Sequence, residues 1–86
     1  MVRVTTAKFI NEYNIHIEFN DGTNGILNFK KILEEDHREI VKDLLNEELF
    51  KTVKVYLNTL CWENEVDFAP DYLYEQILKN KEKEVA

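Results

Sequence analysis

The sequence predicts an α+β fold: a small, mainly antiparallel sheet of about five strands, a helical insertion, and a C-terminal helix packed against the sheet. Three observations predict it. Alternating apolar residues at Tyr13, Ile15, Ile17 and Phe19 mark a strand with one buried face. Asn20-Asp21-Gly22 follows at once and supplies hairpin chemistry, because Asp tolerates a left-handed backbone and Gly has no Cβ to clash there. The stretches with helical spacing then fall after hairpins, not between parallel strands.

Val2–Ile10 is rich in Val, Thr, Phe and Ile and reads as the first strand. Val2 and Val4 share one parity and Ala7 and Phe9 the other, so a bulge is expected near Thr5–Thr6. Tyr13–Phe19 is the second strand, with Asn14, His16 and Glu18 on its polar face. Thr23–Phe29 returns as the third, and Gly25 inside it marks a bulge or a close backbone approach. Lys30–Glu35 begins a helical turn with Ile32 and Leu33 inward. Asp36 reads as the N-cap of a helix to about Leu45, with Glu39 three residues on. Ile40, Val41, Leu44 and Leu45 would form its apolar stripe. Asn46 can cap a further turn carrying Leu49 and Phe50. Thr52–Leu57 alternates as a strand, Asn58-Thr59 turns, Leu60–Glu63 pairs back, and Val66–Phe68 is extended. Pro70 opens the last helix, since proline at the first helical position loses no hydrogen bond. Leu73, Tyr74, Ile77 and Leu78 make its apolar side. Residues 1–80 are expected to form one domain, and 81–86 a charged, frayed tail.

Eighty-six residues suit a single thin core, burying roughly 60–65% of the unfolded surface. The net charge of −6 disfavours nucleic acid and anionic membranes, both of which need clustered Lys and Arg. No apolar run approaches a membrane span, and Met1–Lys8 has no signal-peptide core, so the expected location is cytoplasmic. A single cysteine, Cys61, excludes an internal disulfide and reads as a small hydrophobe beside Leu60 and Trp62.

His16 and Glu18 lie on one strand face and would suit acid/base work, but no nucleophile accompanies them and a solvated sheet face is the plainer account. His37 reads as a surface residue, and the two histidines lack metal-ligand spacing. Glu63, Glu65, Asp67 and Asp71 are the densest carboxylates. Hard cations take such ligands, yet no glycine-turn loop holds them together, so no metal or other cofactor is expected. Asp67, three residues before Pro70, has a structural task in reach: bonding N–H groups at the helix entrance. Trp62, the only tryptophan, is a core anchor or an interface residue. There is no phosphate loop, no Ser–His–Asp arrangement and no basic patch, so catalysis is not expected.

The ordered series Phe19-Asn20-Asp21-Gly22, Leu45, Leu49-Phe50, Val53, Val55, Trp62 and Asp67-Phe68-Ala69-Pro70-Asp71-Tyr72-Leu73-Tyr74 resembles the bacterial family called domain of unknown function 2442. The resemblance spans nearly the whole chain. It implies a small antiparallel α+β fold and transfers no catalytic residue. Members are often encoded beside small toxin-like genes, and several are taken to be antitoxins. Some relatives carry a C-terminal helix-turn-helix, absent here before Ala86, so direct operator binding is not expected.

The leading functional expectation is therefore a protein–protein interaction module, antitoxin-like, with a small basic partner. The residues expected as an interaction or structural signature are His16, Glu18, Asp21, Gly22, Trp62, Asp67, Pro70 and Tyr74. A homodimer through open sheet edges is a further expectation. The alternatives are an oligomeric DNA-associated regulator without its own helix-turn-helix and, behind it, a metal-dependent or acid/base enzyme.

Overall fold

The computed structural model describes the backbone of residues 1–85 and the side chains of residues 1–82. The first meander holds β1 (Val4–Asn11), β2 (Asn14–Phe19) and β3 (Asn24–Asn28). Three short helices follow: α1 (Lys30–Glu35), α2 (Glu39–Lys42), continued by a 3₁₀ turn at Asp43–Leu45, and α3 (Glu47–Phe50). A second meander holds β4 (Lys54–Tyr56), β5 (Thr59–Cys61) and β6 (Asp67–Phe68), and α4 (Pro70–Val85) closes the chain.

The strands do not join into one five-stranded sheet. They form two three-stranded antiparallel sheets, ordered β1-β2-β3 and β4-β5-β6. The physical reason lies at the edge of β1. Register shifts at Val4/Thr6 and Phe9/Asn11 interrupt its ladder with β2, the first of them at the parity fault in the sequence. Interruptions of this kind increase local twist. The second hairpin lies against that edge but hydrogen-bonds it only at its tip, where the Val4 N–H donates to the Asn58 C=O at 3.0 Å. The second sheet therefore packs against the first instead of extending it.

Ile15, Ile17, Leu27 and Phe29 line the inner face of the first sheet and are buried. Aromatic rings fill the space behind them. Phe50 meets Tyr13, Phe29 and Trp62 with ring centroids 5.4, 5.8 and 5.7 Å apart. The Trp62 Nε1–H donates to the Phe50 C=O at 2.9 Å, which gives this large side chain a satisfied polar end inside the core. Trp62 is thus a core anchor and has no surface to offer a partner.

The helical insertion departs from expectation. Asp36 is not the N-cap of a helix; it stands at the C-cap of α1, and its Oδ1 accepts the Arg38 N–H at 2.9 Å in a local turn. This turn breaks the helix before α2 starts, so Ile40 faces out at 47% exposure while Val41 and Leu44 are buried. Asn46 does cap α3, accepting N–H groups from Glu48 and Leu49. The tip of the second hairpin falls at Leu57-Asn58, one residue earlier than the spacing suggested, with both residues at positive φ (52° and 63°).

Gly25 is explained by α4. A Cβ built there would lie 3.0 Å from Ile77 Cγ2, so the absent side chain lets the helix approach β3. Helix α4 runs to Val85, beyond the last apolar residue of its stripe, and Leu78 on that stripe is 40% exposed. Of the tail expected to fray (81–86), residue 86 lies outside the described residues.

Candidate functional site

The signature residues fall in three places. The first is a clasp. Gly22 (φ 88°) completes the β2–β3 turn, and Thr23 N–H donates to Asp21 Oδ1 at 2.9 Å. The Tyr74 hydroxyl donates to Asp21 Oδ2 at 2.6 Å, and its ring packs edge-on to Phe19 at 5.1 Å. The Tyr74 hydroxyl, followed by the Thr23 N–H, holds the Asp21 carboxyl below its ordinary pKa, because both bonds favour the charged form. The two ends of the sequence signature thus meet, pinning α4 to the hairpin.

The second place is the outer face of the first sheet. Thr6, Lys8 and Ile10 from β1, Asn14, His16 and Glu18 from β2, and Asn24, Ile26 and Asn28 from β3 alternate with the buried residues. Hydrogen bonds fix its amides. Asn14 Nδ2 donates to Asn11 Oδ1 and Asn28 Nδ2 donates to Asn14 Oδ1, each at 3.0 Å. His16 Nε2 lies 3.2 Å from Asn24 Oδ1. His16 is therefore held by an amide on the neighbouring strand, and no His16–Glu18 hydrogen bond forms. Ile26 and Ile10 stand on this face at 55% and 43% exposure. The ladder was accessible to sequence reasoning through the hairpin register, which sets Asn14 opposite Asn28 and His16 opposite Ile26.

The third place is an open cleft of about 1130 Å³ between α1 and α4. Lys31, Ile32 and Glu35 form one wall and Tyr72, Gln76 and Asn80 the other, with Leu27 and Phe68 at the base. Asp36 and Arg38 close one end with a two-point ion pair, Nε to Oδ1 and Nη2 to Oδ2, both at 3.1 Å. The Arg38 guanidinium pulls the Asp36 carboxyl below its usual range, and Asp36 raises Arg38 in return. Burial raises the Tyr72 phenol, and the Asp36 and Glu35 carboxylates add to the shift. Asp36, Arg38 and Tyr72 were not singled out from the sequence as a site, since nothing local marks residues so far apart as neighbours.

Asp67 lies exposed on this cleft. It does not bond the helix entrance; Pro70 starts α4 as expected, and the Leu73 N–H takes the Ala69 C=O at 3.2 Å. Asp67 is instead a residue of β6, opposite Cys61, and lines the cleft. Glu63, Glu65, Asp67 and Asp71 do not converge. Among the described residues no group of three or more His, Cys, Asp or Glu side chains is arranged to hold a metal ion.

These features define a small α+β domain of two three-stranded sheets and a closing helix. The chain matches the family model described as "Protein of unknown function (DUF2442)" over residues 4–79, and it belongs to that family. No curated protein and no solved structure matches it.

Proposed function

We propose that this chain is a protein-docking module that holds a small basic protein on the outer face of its first sheet, in the manner of an antitoxin and its toxin. The observation that supports the reading is the fixed amide ladder Asn11–Asn14–Asn28 beside exposed Ile10 and Ile26. Side chains already held in place lose little freedom on binding, so their contacts are not offset by ordering costs. The isoleucines supply apolar contact on the two outer strands of the face, one on each side of β2. The net charge of −6 over the whole chain favours a basic partner and speeds its approach, while the face itself carries one charge of each sign, Lys8 and Glu18.

The test is co-purification with the product of an adjacent gene, followed by titration at rising salt. A complex that weakens with salt and is lost in the double variant Ile10→Ser with Glu18→Lys supports the reading. Absence of a complex, or one indifferent to both changes, refutes it. A gel-shift with the gene's own promoter separates this reading from a DNA-associated regulator, and the expected result is no shift for the chain alone.

A further inference from the structure

We infer that β3 is a dimerisation edge that pairs antiparallel with β3 of a second copy of this chain, with the α4 helices lying across the joined sheet. The inference starts from backbone groups. The Phe29 N–H bonds the Tyr13 C=O and the Phe19 N–H bonds the Thr23 C=O, both at 2.9 Å. Antiparallel alternation then directs the groups of Thr23, Gly25, Leu27 and Phe29 to β2. The N–H and C=O groups of Asn24, Ile26 and Asn28 point the other way, and none has a hydrogen-bond partner among the described residues.

The other edge of this sheet is guarded. β1 carries two register shifts and Lys8, and its Val4 is engaged by Asn58. β3, Asn-Gly-Ile-Leu-Asn, has no charge, no proline and no bulge of its own, and the charged side chain of Lys81 from α4 lies beside it, with Cε 3.8 Å from a Cβ built at Gly25. Such an edge is a template for another strand. Its sequence is also self-complementary. A two-fold axis at Ile26 sets Ile26 against its own copy and Asn24 against Asn28, so the outward groups of both strands pair.

Helix α4 adds the second half of the interface. Tyr74 touches Phe19 and Thr23 near the start of β3, Ile77 sits over Gly25, and Gln76 and Asn80 share a cleft with Leu27 and Asn28 near its end. The helix therefore crosses β3 steeply and its last turns pass beyond the edge. In the two-fold pair Gly25 of the second copy faces Leu27, so the second α4 arrives on the cleft side. The charges there are complementary: Glu35 and Asp67 on the cleft form no ion pair among the described residues, and neither do Lys79 and Lys81 on the arriving helix. A single strand pair is small beside the ~800 Å² per subunit of a stable interface, which is why the helices are required.

Sedimentation velocity on the full chain, from micromolar to near-millimolar, tests this. The expected result is a dimer, with slow amide exchange at Asn24, Ile26 and Asn28 that depends on concentration. Ile26→Lys sets two like charges on the axis at an exposed position and should weaken the dimer by about tenfold or more, with circular dichroism unchanged. Lys81→Glu should weaken it as well. A monomer at every concentration overturns the inference, as does a dimer that survives Ile26→Lys with fast exchange at the three amides. A monomeric result leaves the partner-docking reading standing, since that surface is complete in one chain.

Discussion

The hydroxyl of Tyr74 joins two segments that are far apart in sequence. It donates to Asp21 at the β2–β3 turn and so ties the closing helix to the first hairpin. Because this bond depresses the folded-state pKa of Asp21, its contribution is present above the ordinary carboxylate range and is lost as pH falls through the depressed value. Tyr74→Phe keeps the ring on Phe19 and removes the bond. Urea unfolding followed from about pH 5 downward should show a shallower acid loss in the variant than in the parent. Tyr72 has the opposite sign. Its phenol is raised by burial and by nearby carboxylates, so its contribution is present below the ordinary tyrosine range and is lost as pH rises through the raised value. Tyr72→Phe should flatten the alkaline limb of the same profile. Leu57 behaves differently again: it holds φ 52° while 82% exposed. Leu57→Asn, which suits a left-handed turn, should stabilise by about 0.5–1 kcal/mol in denaturant unfolding. The clasp was legible only as two separate pieces, the Asp21-Gly22 turn and the Pro70–Tyr74 run. Nothing in spacing says that Tyr74 ends at Asp21; that contact exists only once α4 is docked.

Among the elements, those with strong local chemistry were readable and those set by packing were not. The β2 alternation, the Gly22 turn, the Asn46 cap and the Pro70 start each rest on one or two residues and appear as expected. The helix expected from Asp36 to Leu45 breaks because Arg38 offers Asp36 a charged partner and a backbone N–H two residues away. One sheet became two because the second hairpin hydrogen-bonds β1 only at Asn58, without a continuous ladder. Both outcomes depend on neighbours that the linear sequence does not identify. The contact between α4 and β3 gives the element-scale prediction. At Gly25→Ala the new methyl meets Ile77, which is 1% exposed and has no room to yield. A loss of about 1–2 kcal/mol is expected in thermal or denaturant unfolding. Trp62→Phe removes the donor to the Phe50 C=O and leaves a void among the rings, and should cost about 2–4 kcal/mol.

On the scale of the whole molecule, two thin sheets and short helices leave a large share of side chains as surface, and three regions of that surface are ordered by hydrogen bonds. The outer sheet face was visible in the sequence as the polar partner of the β2 alternation, including His16 and Glu18. What the sequence did not show is that His16 turns to Asn24 and that Asn14 links Asn11 to Asn28, because both depend on cross-strand register. The cleft was visible only through Asp67. The docking reading is tested most directly by amide chemical-shift mapping of the isotope-labelled chain against the purified product of an adjacent gene. The account predicts shifts concentrated at Thr6, Lys8, Ile10, Asn14, His16, Glu18 and Ile26 that fade at high salt. Absence of shifts, or shifts confined to other surfaces with this face silent, would contradict it.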